Sequence, residues 1–245
     1  MIISRKSQAF AIWTLGSLGA LWALVALAAF TTPALAAAPA AVTGAAPAAD
    51  RAALLDPGAA LWQRQAPAVF QARFETGRGP FVVEVRRDWA PHGADRFFGL
   101  IAAGFFDDSR FFRVVAGYIA QFGVAGDPAV TAAWKDRPIP DDPVRHGNAR
   151  GTLAFAMTGP GTRLTQLYIN LADNARLDPQ GFAPIGRVVA GMEIVDSLYA
   201  AYGERSGGGM RAGHQGQLLA GGNLWLDAEY PQLDRLWRVR LVEPR

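Results

Sequence analysis

Alternation of apolar and polar residues over residues 70–75, followed by a turn and a second apolar-rich run, constrains the fold more than any other feature of the chain. Phe70, Ala72 and Phe74 alternate with polar side chains, and a Gly-Arg-Gly-Pro sequence then separates them from the run over 81–86. Successive side chains of a strand point to opposite faces of a sheet, so this spacing is typical of extended chain. The pattern predicts a β-hairpin.

Short strands and two helices are predicted for the rest of the chain. Pro91 suits the first turn of a helix, and apolar residues follow it at helical spacing up to Ile101. Residues 124–150 are predicted to be surface loops, and the glycines of 203–222 a mobile connection. Many short strands with two helices predict a mainly β fold, a closed barrel capped at its ends. The further strands are expected at 151–157, 166–171, 185–189 and 236–242, and Val195, Leu198, Tyr199 and Tyr202 mark the second helix.

Residues 1–38 have the composition of an export signal. Arg5 and Lys6 precede an uncharged apolar run over 9–30, and small residues follow Pro33, as a signal peptidase requires. The run is longer than the roughly 7 to 15 residues of a usual signal and approaches the roughly 20 that span a bilayer. A cleaved signal peptide and an uncleaved membrane anchor therefore both fit. Either one predicts a body outside the cytoplasm, periplasmic or secreted, or anchored at the inner membrane.

Composition divides the remainder into a linker and one domain. Residues 39–65 are rich in Ala and Pro, a composition that buries too little surface to fold, so we expect a linker there. Order is expected to begin near Ala66. Half of the 245-residue chain is apolar, which allows a sizeable core. We expect one monomeric domain over 66–245, including a Gly-rich C-terminal extension.

Charge and residue usage exclude several function classes. The formal net charge is +3 and includes the leader, so the body is nearly neutral and nucleic-acid binding is not indicated. The chain has no cysteine, which excludes disulfides and thiol nucleophiles. His92, His146 and His214 lie far apart, and no nucleotide or hydrolase motif is present, so we expect no metal and no cofactor. The adjacent acids Asp107-Asp108 and Asp141-Asp142 are predicted to be helix or turn caps.

The stretch from Arg110 to Gly123 places one guanidinium, that of Arg113, among aromatic and aliphatic residues at strand-like spacing. Side chains alternate faces on an extended chain, so Arg113 shares a face with Phe111, and Ile119 and Gln121 share a face further along. A charged planar donor beside an apolar surface is either a solvated edge residue or part of a site that grips a carbonyl group.

Two blocks of sequence resemble the cyclophilin-type peptidyl-prolyl isomerases. Residues 111–123, Phe-Phe-Arg-Val-Val-Ala-Gly-Tyr-Ile-Ala-Gln-Phe-Gly, are similar to the family's Phe-His-Arg-Val-Ile-Pro-Gly-Phe-Met-x-Gln-Gly-Gly. Residues 151–157 and 165–170 are similar to the family's Gly-Thr-x-Ser-Met-Ala and Ser-Gln-Phe-Phe-Ile, and residues 182–192 continue the likeness. The resemblance covers about 69–202. It implies a closed eight-stranded antiparallel β-barrel capped by two α-helices.

The resemblance also implies a site and a reaction. Arg113 would be the catalytic donor, and Gln121 would help to hold its guanidinium. The substrate-binding residues implied by the family pattern are Phe111, Tyr118, Ile119, Met157, Gln166, Tyr168, Leu177 and Phe182. Taken singly, Tyr118, Ile119, Leu177 and Phe182 also fit a barrel core, and only their register with Arg113 favours a pocket.

Six positions depart from the family pattern, and three of them, Phe112, Ala116 and Phe122, flank the site. Tyr168 and Leu167 stand where the family has phenylalanines, and Arg176 stands where many members have a tryptophan that contacts cyclosporin. One hypothesis is an exported prolyl isomerase that assists the folding of secreted proteins. The alternative is a non-catalytic cyclophilin-like peptide-binding module or holdase. Both predict proline-containing segments of unfolded or exported proteins as partners, and neither predicts nucleic acid, or contact with a membrane other than through an N-terminal anchor.

Overall fold

Nine strands form a single antiparallel sheet in the computed structural model of the chain, which describes residues 51–206 and 213–242. Across the sheet the strand order is β3-β9-β1-β2-β8-β6-β7-β5-β4. The strands are β1 (Val69–Thr76), β2 (Gly79–Arg86), β3 (Ser109–Arg110), β4 (Arg113–Val115), β5 (Ile119–Phe122), β6 (Thr152–Phe155), β7 (Leu167–Asn170), β8 (Pro184–Ala190) and β9 (Arg235–Leu241).

Five α-helices accompany the sheet in the described residues: α1 (Arg51–Leu55), α2 (Pro91–Ala102), α3 (Pro128–Trp134), α4 (Met192–Asp196) and α5 (Gln215–Glu229), which is kinked at Gly222. Three 3₁₀ turns span Ala60–Gln63, Ala175–Gln180 and Gly203–Arg205. The helix predicted from Pro91 is confirmed as α2. Its first turn is capped by Asp142, whose carboxylate accepts hydrogen bonds from the backbone N–H groups of His92 and Gly93 at 3.0 and 2.9 Å.

The hairpin predicted from the alternation is present as β1 and β2, in a register that pairs Thr76 with Gly79. Its inward side chains are buried, and they join a core that is dominated by phenylalanine. Ring centroids within this core lie 4.4 to 6.4 Å apart, which is the range of favourable aromatic contact. The rings belong to Phe74, Phe81, Phe97, Phe106, Phe111 and Phe122.

The closed eight-stranded barrel is confirmed only as a mainly β, strongly curled sheet. The sheet has nine strands, and its two edge strands, β3 and β4, do not pair with each other. They are consecutive in the chain, separated by Phe111 and Phe112. β3 pairs with β9, whereas β4 pairs with β5. The extended chain expected to carry Phe111 and Arg113 on one face is therefore interrupted, because the chain changes its hydrogen-bonding partner at Phe111–Phe112.

Two predicted loop regions contain helices instead. Helix α3 lies within residues 124–150, where Val130 and Trp134 are buried. Helix α5 begins within the Gly-rich segment 203–222 and buries Leu218 and Leu226. In both cases tertiary packing of a few large apolar residues outweighs a composition that locally favours turns. Two helices were predicted and five are present, because the local sequence pattern does not indicate the other three.

The second predicted helix is shorter than expected. Helix α4 ends at Asp196, ahead of Leu198 and Tyr199. The backbone N–H of Tyr199 instead donates to the buried carboxylate of Asp234, which precedes β9. The polar group that would continue the helix is thus satisfied by another part of the chain.

At the N-terminal side, the predicted signal or anchor at 1–38 and residues 39–50 lie outside the described residues. Within the predicted linker, α1 and the turn Ala60–Gln63 are ordered. Leu54 is buried, and its carbonyl accepts a 2.9 Å hydrogen bond from Nε1 of Trp134. In the part of the chain that the structure describes, no helix has the length and hydropathy to cross a bilayer.

Candidate active site

Strand register brings four positions into one row across the sheet. Arg113 of β4 lies opposite Gln121 of β5, Gln121 opposite Tyr168 of β7, and Tyr168 opposite Ala154 of β6. Residues directly opposite each other on paired strands project to the same face and interact. Residues 113, 121 and 168, which are distant in sequence, therefore meet on one side of the sheet.

The two predicted catalytic residues are hydrogen-bonded to each other. Nη1 of Arg113 donates to Oε1 of Gln121 at 2.9 Å, and Nε2 of Gln121 donates to Oε1 of Gln166 at 3.0 Å. Gln121 is buried, so its amide is held by these two partners rather than by water. The chain of amides fixes one nitrogen of the guanidinium relative to strands β5 and β7.

A carboxylate holds the other side of the same guanidinium. Nε and Nη2 of Arg113 donate to Oε2 and Oε1 of Glu204 at 2.9 and 2.6 Å, a bidentate pair. Glu204 lies in the turn Gly203–Arg205, and the Arg113 side chain is 12% exposed. An arginine that is almost removed from water thus has a counter-ion of matching geometry.

Arg113, Gln121 and Gln166 line a cavity of about 520 Å³, which is within the size range of small-ligand sites. Nine of the ten residues predicted for the site border it: Arg113, Tyr118, Ile119, Gln121, Met157, Gln166, Tyr168, Leu177 and Phe182. Ile119, Tyr168 and Leu177 pack with Tyr118 and Phe182 in a small apolar cluster that is separate from the main core. The apolar members form one wall of this cavity.

Phe111, the tenth predicted residue, does not border the cavity and its assignment is corrected. It is fully buried in the main core, with its ring 5.4 Å from that of Phe122. Phe112 is buried as well, but in a second cluster with Leu218 and Leu226. Regular alternation is interrupted where the chain changes partners between β3 and β4, so Phe111 and Arg113 do not share a face.

The hydroxyl of Tyr168, the departure in the pocket, has a buried partner. It donates a 2.8 Å hydrogen bond to Oδ1 of Asn148. Burial, with smaller contributions from Tyr118 and Asp178, raises the pKa of Tyr168 far above its ordinary value, so the phenol is neutral and acts as a donor. The ring itself meets Phe182 edge to face at 5.9 Å. Tyr168 therefore presents an aromatic surface to the cavity.

Asn148 and Asn174 were missed by sequence reasoning. Nδ2 of Asn148 donates to Oδ1 of Asp178 and to the carbonyl of Phe182, both at 2.8 Å. Nδ2 of Asn174 donates to the carbonyl of Tyr118 at 2.9 Å. The two asparagines thus tie the turn Ala175–Gln180 and its neighbours to the sheet. No local signal distinguishes them from asparagines of an ordinary turn.

Two guanidinium groups lie near the ring of Tyr118, which borders the cavity. The guanidinium of Arg176 lies over the Tyr118 ring at 4.5 Å, within the range of a cation–π contact, and that of Arg113 approaches the same ring at 5.8 Å. The described residues contain no group of three or more acidic or histidine side chains arranged to hold a metal ion. The cavity offers hydrogen-bond donors such as the Arg113 guanidinium beside an apolar surface.

Comparison with protein families identifies the family of this chain. The sequence model described as "Cyclophilin type peptidyl-prolyl cis-trans isomerase/CLD" matches residues 71–209, more than half of the chain. The chain belongs to the cyclophilin-type peptidyl-prolyl cis-trans isomerases. The matched range holds all nine of the predicted residues that border the cavity, and it extends to Glu204.

Individual cyclophilins agree with this membership. Peptidyl-prolyl cis-trans isomerase B of Escherichia coli (strain K12) is 31% identical over 144 residues, which is 55% of this chain and 87% of that protein. Peptidyl-prolyl cis-trans isomerase A of Dickeya dadantii (strain 3937) is 33% identical over 125 residues, 48% of this chain and 65% of that protein.

Solved cyclophilin structures agree in fold. The crystal structure of a cyclophilin-type isomerase of Cryptosporidium parvum superposes with a TM-score of 0.53 at 18% identity, covering 72% of this chain and 99% of that one. A second structure of the same protein was determined in the presence of the dipeptide Ala-Pro, with a TM-score of 0.52. At this identity the likeness supports the fold alone, and the role of each residue rests on the geometry above.

Proposed function

We propose that this cyclophilin catalyses rotation about X-Pro bonds with Arg113 as the donor that stabilises the twisted amide. The barrier to rotation is about 18 to 20 kcal/mol and arises from the double-bond character of the C–N bond. As the bond twists, the proline nitrogen becomes pyramidal and gains a lone pair. A donor aimed at that nitrogen stabilises the twisted state more than the planar one, which lowers the barrier without a nucleophile.

The observation that carries the proposal is the position of Arg113 at the wall of an apolar cavity. An arginine has five N–H donors in a rigid fork. Glu204 and Gln121 engage three of them, one each on Nε, Nη1 and Nη2. Among the described contacts, one N–H on each Nη nitrogen remains for a substrate. The cluster around Ile119 and Leu177 offers the apolar surface on which a proline ring would rest.

The Cryptosporidium protein was crystallised with Ala-Pro, and we propose proline-containing peptide segments as substrates here. Met157 and Gln166, which border the same cavity, would contact the peptide on either side of the proline. No cofactor enters the proposed reaction, since the step is a bond rotation stabilised by a fixed donor.

The first experiment measures cis/trans exchange of a prolyl peptide by the purified full chain. We expect Arg113→Ala to lower kcat/KM by about 10²-fold, the usual effect of removing one transition-state donor. Arg187→Ala removes an exposed arginine outside the cavity and should leave kcat/KM unchanged. Equal activity of the Arg113→Ala variant and the wild type would refute the proposal.

A non-catalytic peptide-binding module or holdase is the second candidate, and the engagement of Arg113 by Glu204 is the observation in its favour. If the carboxylate occupied the arginine permanently, the cavity would bind peptide without accelerating rotation. Peptide binding that survives Arg113→Ala, in a protein with no measurable isomerase activity, would establish this alternative.

We further propose that the protein is exported and assists the folding of secreted proteins. Support comes from the basic start and the apolar run of residues 1–38. N-terminal sequencing of the protein recovered from the cell envelope tests this proposal. A new N-terminus near Ala36 or Ala38 indicates a cleaved signal, an intact Met1 in the membrane fraction indicates an anchor, and an intact Met1 in the cytoplasm excludes export.

A further inference from the structure

We propose that Glu204 is a positioning residue for Arg113, supplied by the segment between α4 and β9. This inference rests on the proposed isomerase function, because it assigns Glu204 a role in orienting the proposed catalytic donor. Glu204 belongs neither to the row of strand residues that build the cavity nor to the motifs that suggested the site. It is 91 residues away from Arg113 in sequence.

The contact has the geometry of a clamp rather than of a loose ion pair. Both carboxylate oxygens are used, at 2.9 Å from Nε and 2.6 Å from Nη2, while Gln121 holds Nη1 at 2.9 Å. Bonds to all three nitrogens of a planar group fix both its position and the orientation of its plane. The two N–H groups that remain then have a defined direction.

The carboxylate supports Arg113 without filling the cavity. Arg113 borders the cavity, whereas Glu204 is not among the residues that line it. The Arg113 side chain is 12% exposed and that of Glu204 is 29% exposed. A guanidinium so little hydrated needs a fixed counter-ion, since the charge would otherwise be poorly solvated. Glu204 therefore balances the positive charge of Arg113 from the side of the guanidinium that is turned away from the proposed substrate.

Glu204 is itself held by an ordered support. Tyr202, which precedes its turn, packs edge to face on Tyr230 at 5.1 Å, and the Tyr230 hydroxyl donates to the carbonyl of Arg205 at 2.7 Å. Leu218 and Leu226 of α5 pack in one cluster with Phe112, the residue before Arg113. The segment between α4 and β9 is thus held beside Arg113 in two ways. Its helix α5 packs on Phe112, and its Glu204 pairs with the guanidinium.

The structure contains a matched control for this clamp. Arg110, three residues before Arg113, makes a second bidentate pair with Asp227 of α5, at 3.0 Å from Nε and 2.9 Å from Nη2. Both pairs join the same stretch of the sheet to the same segment. Arg110 does not border the cavity. Asp227→Asn therefore reports what loss of one such pair does to the attachment of the segment, without touching the proposed donor.

The experiment compares Glu204→Gln with Asp227→Asn in the full chain, using prolyl-peptide exchange and thermal unfolding. We expect Glu204→Gln to lower kcat by about tenfold with little change in KM, within the roughly 10²-fold that misplacing a catalytic group by 1 Å can cost. Asp227→Asn should leave kcat within about twofold of the wild type, even if it lowers the melting temperature as much as Glu204→Gln does. A loss of activity that follows stability equally in both variants would overturn the inference.

A double substitution tests whether Glu204 acts through the guanidinium. Lysine cannot make the bidentate contact, so in an Arg113→Lys background Glu204→Gln should change the residual kcat by less than about twofold. An equal tenfold loss in both backgrounds would mean that Glu204 acts by another route. A rise in activity for Glu204→Gln in the wild-type background would show an autoinhibitory contact and would also overturn the positioning role.

A readout independent of activity separates this inference from the proposed function. In the NMR spectrum, the Nε–H of Arg113 should exchange slowly with water in the wild type and rapidly in Glu204→Gln. Fast exchange in both proteins refutes the clamp even if the wild type is an active isomerase. Slow exchange in an inactive wild type refutes the proposed function and, with it, the catalytic purpose of the clamp.

Discussion

Tyr168 and Asn148 are joined by a hydrogen bond of 2.8 Å that is buried beneath the floor of the candidate active site. Oδ1 of Asn148 also accepts from Nδ2 of Asn170 at 3.2 Å, while Nδ2 of Asn148 holds the segment that carries Leu177 and Phe182. The phenol that departs from the family pattern is therefore part of the network that shapes the pocket. The Tyr168 hydroxyl already has a buried hydrogen-bond partner. Binding of a substrate therefore does not require this hydroxyl to lose water.

Tyr168→Phe should lower stability while leaving isomerase activity within about twofold. The variant removes one buried hydrogen bond, and the usual contribution of such a bond is about 1 kcal/mol. Urea unfolding and prolyl-peptide exchange measure the two effects. Tyr118→Phe removes a hydroxyl from the half-buried tyrosine of the same cavity and should change stability less. A large gain in activity for Tyr168→Phe would mean that the hydroxyl hinders the substrate.

Gln121→Leu is expected to reduce kcat/KM by about tenfold. The apolar side chain has similar volume, but it removes the acceptor for Nη1 of Arg113 and the donor to Gln166. One buried donor then loses its partner and the guanidinium loses one of its two supports. Gln166→Ala, which removes only the outer amide of the chain, should reduce the rate less. The opposite order of effects would contradict the proposed roles.

Gly123→Ala should destabilise the protein far more than Gly117→Ala. Both glycines flank β5 and have positive φ, 99° and 67° respectively. An added Cβ at Gly123 would meet the backbone oxygen of Thr165 at 2.3 Å, whereas at Gly117 nothing lies within 4 Å. We expect about 1 kcal/mol for the strained backbone at Gly117 and about 2 to 5 kcal/mol at Gly123, where overpacking adds to it. Similar unfolding midpoints for the two variants would contradict this account.

Stability should decline in acid partly through Asp108. Burial pushes the pKa of Asp108 upward, but hydrogen bonds and charges from Arg235 and Arg110 outweigh it, so the folded pKa lies below the ordinary 3.8. A lowered pKa gives a contribution that is complete above the unfolded value and is lost as the pH falls through the folded value.

Asp108→Asn is the variant that measures this contribution. Asparagine tolerates the φ of 54° at this position. The difference in unfolding free energy between wild type and variant should shrink from neutral pH to about pH 3. Asp136→Asn, at a residue whose side chain is 83% exposed, changes the net charge equally and is the control. A difference that stays constant with pH would exclude a role for Asp108 in acid stability.

Features with a local signal were predictable from the sequence. The alternation around Phe74 identifies the first hairpin, and Pro91 with the apolar spacing after it identifies α2. The nine predicted residues that border the cavity could be assigned because family motifs fix their order and strand register then assembles them. Assigning these residues required both the strand-like spacing and the resemblance to the family, since Arg113 alone is compatible with a surface salt bridge.

The remaining features depend on contacts between distant parts of the chain. Helix α5 is rich in glycine and is stabilised by Leu218 and Leu226 packing with Phe112, which composition does not indicate. Glu204 has no local feature that marks it as the partner of an arginine 91 residues away. Phe111 was expected to share a face with Arg113 because regular alternation assumes an unbroken strand, and the change of partner at that point is a property of the whole sheet.

The seam between β3 and β4 has a consequence for how this protein can vary over evolution. At Phe111–Phe112 one side chain enters the main core and the next lies under α5, directly before Arg113. A substitution that changes the packing of α5 would therefore shift Phe112, and with it the backbone of Arg113, the next residue. We expect homologues that have α5 to have an apolar residue at position 112 and a carboxylate at position 204, and homologues with a polar residue at position 112 to lack both α5 and the carboxylate.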